Sequence, residues 1–375
     1  MKLQIHTHEL KRLVSVANNS IDKKELVPIL AYVRLIAENN VLKSVSTNLS
    51  IGHVLECPAK VDVAGDVLVP AATLAKAVSK LPGEQTQLEL KDNAIIVSSE
   101  KTRYKLPITA DEEKSFPDLE SSFAASSVRI PANPFRTMLL RSSLACIVGI
   151  EDKPSLSGVY IEYDGEVLKM TGTDANSLAH MEIEVEGDAF SSFILPQDSA
   201  REIARLIKTY EPEYVEIGIG SSYFCVRFTN VSFLSRTVEG SFPNYPALLQ
   251  NIVTENTLSF DASHLLNVLE RASLFRTSDM SVLSFVPQDS HLYAHTNPKD
   301  TGTYNEELQL EKDAVLPDFI ISFNPTTMMK TIRELPKETE RISIELCNAN
   351  NKPIILRSKA ESFKDDIYLL MPITI

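Results

Sequence analysis

Two hydrophobic rhythms alternate along the chain. Leu3-Gln4-Ile5, Val128-Arg129-Ile130 and Leu258-Ser259-Phe260 change character at every residue, the mark of a strand with one buried face. A helical stripe follows the first of them: Leu10, Leu13, Val14 and Ala17 fall at i, i+3, i+4 and i+7. The same reading predicts six helices, over 8–20, 73–81, 134–145, 198–209, 264–275 and 325–335, with several strands between each pair. Asp92-Asn93, between the apolar runs 87–90 and 94–97, predicts a tight turn. Strands outnumber helices and follow one another through short turns. The expected class is α+β, with helices covering one face of antiparallel sheets.

The pattern repeats at the scale of a domain. Thr47-Asn48, Val69-Pro70 and Phe116-Pro117 return 126 residues later as Thr173-Asp174, Leu195-Pro196 and Phe242-Pro243. Thr296-Asn297 and Phe323-Asn324 read as the same landmarks in a third copy with small length drift. A period near 126 is domain-sized. Three tandem domains are therefore expected, at 1–124, 125–253 and 254–375, each built of two βαβββ half-repeats. Stretches 110–117 and 121–127, and the segment beginning at Gly240, read as linkers.

The net charge of -13 disfavours a nucleic-acid partner until its distribution is examined. The six predicted helices hold twelve basic residues (Lys11, Arg12, Lys76, Lys80, Arg136, Arg141, Arg201, Arg205, Lys208, Arg271, Lys330 and Arg333) against five acidic ones. They sum to +7, which leaves -20 for the remainder. Arg201, Arg205 and Lys208, at i, i+4 and i+7, share one helix face beside an apolar one. A single such face is an ordinary solvated surface. Several in an acidic chain form a phosphate-attracting class of element with no base readout.

Candidate chemistry is sparse. Gly218-Ile219-Gly220 lacks the third glycine of a nucleotide loop and reads as a hairpin turn. His6 with His8, and His291 with His295, could share a strand face as ligands but lack the Cys/His spacing of a metal site and read as surface histidines. The four cysteines are scattered, as expected of buried thiols in a reducing cytosol. No apolar run approaches membrane-spanning length, and the N-terminal residues do not resemble a signal peptide. No catalytic set, metal site or cofactor is expected.

Taken with the threefold repeat, five segments carry a resemblance to a known family. They are Leu26-Val27-Pro28-Ile29-Leu30, Phe116-Pro117-Asp118-Leu119, Gly172-Thr173-Asp174, Phe242-Pro243-Asn244-Tyr245 and Tyr368-Leu369-Leu370-Met371-Pro372-Ile373. The chain resembles the bacterial DNA polymerase III β subunit, the sliding clamp, from end to end. That resemblance implies a cytoplasmic, non-enzymatic processivity factor. It implies a head-to-tail homodimeric ring, helices inside and sheets outside, around double-stranded DNA of any sequence. Partners would be the polymerase III catalytic subunit, the clamp loader and other proteins bearing a Gln-Leu-x-Leu-Phe type motif. DNA-facing positions would be Lys24, Lys76, Lys80, Arg136, Lys153, Arg201, Arg205, Lys208, Lys330 and Arg333. The partner cleft would use Leu156, Thr173, Ala175, Leu178, Pro243, Leu248, Leu370, Met371, Pro372 and Ile373. The dimer contact would join Arg103, Tyr104 and Leu106 to Leu274 and Phe275.

Two departures from the family pattern stand out. Ala175-Asn176-Ser177 replaces the frequent Gly-His-Arg, and Ala247 stands where arginine is common. They keep open a second reading, a clamp paralogue specialised in repair or acting when the main clamp is inhibited.

Overall fold

The computed structural model of the chain describes residues 1–21, 27–108, 116–122, 127–147, 153–220, 223–275, 281–298, 302–310, 314–335, 340–358 and 366–374. The first repeat runs β1 (Lys2–His6), α1 (Thr7–Ala17), β2 (Tyr32–Glu38), β3 (Val41–Thr47), β4 (Ile51–Pro58), β5 (Lys60–Val63), β6 (Gly65–Pro70), α2 (Ala71–Ser79), β7 (Gln85–Lys91), β8 (Ala94–Ser99) and β9 (Thr102–Pro107). The second runs β10 (Val128–Pro131), α3 (Ala132–Leu144), β11 (Gly158–Tyr163), β12 (Val167–Thr173), β13 (Ser177–Glu184), β14 (Phe190–Pro196), α4 (Gln197–Tyr210), β15 (Tyr214–Ile219), β16 (Tyr223–Phe228), β17 (Val231–Arg236) and α5 (Tyr245–Gln250). The third runs β18 (Asn256–Asp261), α6 (Ala262–Ala272), β19 (Leu283–Gln288), β20 (His291–Thr296), β21 (Tyr304–Glu307), β22 (Ile321–Phe323), α7 (Pro325–Arg333), β23 (Arg341–Leu346), β24 (Ile354–Ser358) and β25 (Ile367–Leu370).

The six expected helices all form, with ends shifted by a few residues. β5 and the short helix α5 are additions to the βαβββ order. Pro246 at its start and the Asn244 side chain, which accepts from Ala247 N, let α5 form inside the expected linker. The α1 stripe is buried as its spacing requires, and the helix packs on α2, β3 and β4. Asp92 and Asn93 both take positive φ between β7 and β8, which is the tight turn that pair favours.

Packing divides the chain into two compact units, residues 1–132 with 206–237, and 133–205 with 238–375. Each unit holds one eight-stranded antiparallel sheet. In the first its order is β10-β15-β16-β17-β4-β3-β2-β6, beside a five-stranded sheet β5-β1-β7-β8-β9. In the second it is β14-β11-β12-β13-β25-β24-β23-β18, beside a four-stranded sheet β21-β20-β19-β22. Both eight-stranded sheets are sutured between repeats in the same way. β17 pairs β4 with Leu234 opposite Gly52, and β25 pairs β13 with Leu369 opposite Leu178.

Candidate functional site

The repeated threonine landmark is a turn that leads into each seam. In the first unit Thr47 Oγ1 donates to the Ile51 carbonyl (2.8 Å) and accepts from Leu49 N (2.9 Å), while Asn48 Oδ1 accepts from Ser50 N and Ile51 N. In the second unit Thr173 Oγ1 donates to the Ser177 carbonyl (2.7 Å) and accepts from Ala175 N, while Asp174 Oδ1 accepts from Asn176 N and Ser177 N. Leu49 and Ala175 hold the turn open at φ 69° and 72°. Thr296 is not their counterpart. It shares a strand face with the buried Leu292 and Ala294, whereas Thr47 and Thr173 lie on the other face of their strands from Leu42 in β3 and from Leu168 and Met170 in β12. The length drift in the third repeat is odd at this landmark, and an odd shift changes the face.

At the second seam, the sheet face away from the helices carries an apolar cluster of Leu178, Leu369 and Tyr245, with Tyr160, Phe242, Leu249 and Ile252 packed against it. Phe242 stacks on Tyr160 with centroids 4.7 Å apart and rings 6° from parallel. Tyr245 donates to Glu162 at 2.5 Å, and burial together with that bond raises its pKa. His180 lies against the Tyr245 ring and pairs with Thr171 Oγ1 at 2.8 Å. Burial, helped by Lys169, pushes its pKa down to about 4, so it is neutral at physiological pH.

The expected cleft residues take distinct places around this cluster. Leu156, Thr173 and Leu178 are buried; Pro243, Leu248 and Ala175 are exposed at the rim; Met371 is 38% exposed. Pro372 and Ile373 are half-buried. Met371 N donates to the Asn176 carbonyl and Ile373 N to the Ser322 carbonyl, both at 2.7 Å, which moors the C-terminal segment. Leu370 takes a different place. It stands opposite Ser177 and lies on the alternate face of β25 from Leu369; a cavity of about 380 Å³ is bordered by both, with Cys146, Gln197, Arg201 and Lys330. Leu369 fills the cluster position instead.

Of the expected DNA-facing residues, Lys76, Lys80, Lys153, Arg201, Arg205, Lys208, Lys330 and Arg333 are exposed, Arg136 is half-buried, and Lys24 lies outside the described residues. Arg136 donates to the Ala204 carbonyl. Arg205 and Arg333 form ion pairs with Glu202 and Glu270, at 2.6 and 2.7 Å. Arg12 and Arg271 pair likewise with Glu9 and Glu306. Arg141, counted above among the helix cations, belongs to the interior. It is 1% exposed and lies 2.5 Å from the equally buried Asp366. The helix surfaces are therefore less positive than the sequence count of +7.

β9 of the first unit and β21 of the second each end a sheet, and they stand where the other repeats place the strands paired across a seam, β17 or β25 and β4 or β13. Arg103 is exposed and Tyr104 half-buried on β9, while Leu106 is buried within its own unit. Leu274, beyond α6, is 76% exposed, and Phe275 stacks on Tyr304 of β21. Arg103 and Lys105 on one edge face solvent as cations; on the other edge Glu307 is exposed, while Glu306 is paired with Arg271.

Comparison with known proteins bears on this architecture. Residues 1–120 match the family model for the N-terminal domain of the DNA polymerase III beta subunit, and residues 129–244 match that for its central domain. The chain belongs to the DNA polymerase III beta subunit family. The beta sliding clamp of Synechococcus elongatus is 27% identical over 383 residues, covering 100% of this chain and 99% of that one. That of Streptococcus pneumoniae strain R6 is 23% identical over 372 residues, 96% of each chain. The crystal structure of the beta subunit from Streptococcus pyogenes superposes with a TM-score of 0.91 at 21% identity over the whole of both chains. The Thermotoga maritima beta subunit gives 0.88, also at 21%, covering 100% of this chain and 99% of that one. The family is a non-catalytic processivity factor of DNA replication.

For a beta subunit the missing chemistry is no gap. Among the described residues no group of three or more His, Cys, Asp or Glu is placed to hold a metal, and no helix is long and apolar enough to cross a membrane. The thiols are buried, and burial pushes Cys57 and Cys146 up to about 12. Sequence reasoning missed Leu369, Tyr245 and the Arg141–Asp366 pair. The Tyr245 role had a signal, since it stands 126 residues after Leu119.

Proposed function

We propose that two copies of this beta subunit join head to tail through β9 and β21, close into a ring around duplex DNA, and tether the replicative polymerase. One observation carries the reading. Each eight-stranded sheet joins a β10-β15-β16-β17 type half to a β4-β3-β2-β6 type half, and the second unit repeats this as β18-β23-β24-β25 with β13-β12-β11-β14. The remaining sheets, β1-β7-β8-β9 and β21-β20-β19-β22, are one half of each type with their seam edges bare. Pairing β9 of one copy with β21 of another completes the same sheet twice, a heterologous contact that closes. Tyr104, Leu274 and Phe275 supply apolar area there, and Arg103 and Lys105 meet the acidic edge of β21.

In this ring the repeats act as three domains, 1–124, 125–253 and 254–375, and the exposed helix cations face the DNA. A closed ring holds DNA by topology, so the cations need only supply weak attraction without sequence preference. The face around Leu178, Leu369, Pro243, Leu248 and Met371 takes the Leu and Phe of partner motifs on the polymerase III catalytic subunit, the clamp loader and repair proteins. Partner specificity at the rim departs from the family through Ala175-Asn176-Ser177. The protein would act in the cytoplasm and needs no cofactor. Sedimentation equilibrium of the purified chain tests the reading: a dimer is expected, and a monomer at micromolar concentration would overturn it.

A further inference from the structure

β25 forms the seam and supplies Leu369 and, just beyond its end, Met371 to the cleft. Its sequence is a poor guide to its own register. Tyr368, Leu369 and Leu370 are all buried, so both faces of the strand are apolar. In a half-buried strand a slip of one residue exposes the apolar set and is strongly disfavoured. Here the same slip would put Leu370 where Leu369 sits, Leu369 where Tyr368 sits and Met371 where Leu370 sits, always one apolar side chain for another. The strand at the first seam differs. β17 marks its outer face with Ser232 and Arg236, both at least partly exposed, and its inner face with the buried Phe233.

Directly before β25 stands Asp366. Its carboxylate meets Arg141 Nη1 of α3 at 2.5 Å, and Arg141 Nε donates to the Glu334 carbonyl at 3.0 Å, just past α7. Both side chains are at most 2% exposed. A buried ion pair is weak support for stability, because desolvation offsets its attraction, but it is costly to break from one side only. Specifying register is the use for which such pairs are best attested. We propose that the Arg141–Asp366 pair sets the register of β25 against β13 and so positions Leu369 and Met371 for partner binding. The guanidinium is held by α3 and by the end of α7, so Asp366 reaches it in one register only. A slip by one residue would pull the two charges apart within the interior.

The consequence for partners rests on the cleft reading; the register itself does not. Ser177→Cys with Leu370→Cys places a cross-strand thiol pair at the native register, and Ser177→Cys with Leu369→Cys or Met371→Cys reports a slip in either direction. In the otherwise native chain, oxidation should cross-link only the first pair. Combining these with Arg141→Met and Asp366→Met, an apolar replacement of similar size, should spread cross-linking over the slipped pairs. Affinity for a Gln-Leu-x-Leu-Phe peptide should fall at least tenfold while the dimer persists. Arg141→Lys, which keeps the charge, should retain the native cross-link. An unchanged cross-link pattern in the apolar double variant overturns the proposal. Should that variant not fold, Asp366→Ser with Ile367→Asp moves the carboxylate one residue along and keeps the pair. The cross-link must then shift from Leu370 to Met371, and one that stays at Leu370 equally overturns it. If the native chain binds no peptide, the cleft reading falls, and the cross-links still decide the register.

Discussion

Leu119 occupies the space that Gly52 leaves open: a Cβ on Gly52 would lie 2.6 Å from Leu119 Cδ1. The strap that follows the first repeat thereby seats Phe116 and Leu119 over the β4–β17 seam, in one cluster with Val45, Val54, Leu68, Cys225 and Leu234. At the second seam the residues 126 positions on are Leu178 and Tyr245, both large, and the strap lies beside the leucine. Gly52→Leu should force Leu119 out and destabilise the protein by about 1–3 kcal/mol. Denaturant unfolding measures this, and a variant as stable as the native chain would contradict the packing.

Much of this was legible because it depends on chemically specific residues. A threonine followed by Asn or Asp makes a turn whose side-chain bonds reappear atom for atom at 47–51 and 173–177. The helix stripes followed from spacing alone. What escaped was information held in parity and depth. Threonine suits either strand face, so Thr296 passed as a landmark although an odd shift had turned it inward. Four apolar residues in a row, Tyr368 to Met371 with its neighbours, show no alternation, so Leu370 was expected where Leu369 stands. Arg141 looks like any helix-surface arginine until Asp366, 225 residues away, is seen to bury it.

The proposed dimer contact makes a sharp demand on two residues. Leu274 is 76% exposed, and Phe275 lies beside Tyr304 on the bare β21 edge. Burying an apolar side chain of this size contributes about 1.5–3 kcal/mol. Replacing both with Asp should yield a folded monomer, read by sedimentation velocity together with circular dichroism. A dimer of native affinity would place the contact elsewhere.

On the proposed reading, ion pairs of the helix cations, Arg205–Glu202 in α4 and Arg333–Glu270 between α7 and α6, temper DNA attraction. Arg201→Glu, Arg205→Glu and Lys208→Glu together should abolish low-salt association without sequence dependence and leave the dimer intact. Neutralising a cation that contacts phosphate should lower the slope of log affinity against log salt by about 0.9. Glu202→Gln and Glu270→Gln should act in the opposite direction, strengthening association by releasing Arg205 and Arg333. Filter binding across a salt series reads all of these. Weaker binding by the Gln variants would contradict the assignment.

His180 gives the fold a calculable sensitivity to acid. Native His180 stays neutral down to about pH 4, whereas the unfolded chain takes up a proton near 6.5. Between these values the unfolded state binds more protons, so stability falls as the pH drops from 6.5 towards 4 and is unaffected by this group above 6.5. The loss approaches about 3 kcal/mol at the lower end. His180→Gln should flatten this part of the stability profile. An identical slope in the variant would mean that other groups produce it.

Topological retention on DNA tests the ring most directly. The protein is loaded with its clamp loader and ATP onto nicked circular duplex, freed of unbound material by gel filtration, and then cut with a restriction enzyme at a single site. A ring that encircles DNA stays with the circle at salt high enough to screen the helix cations and leaves when the circle is opened. Protein that remains on the linear product, or is lost from the intact circle as salt rises, would contradict a closed, sliding clamp.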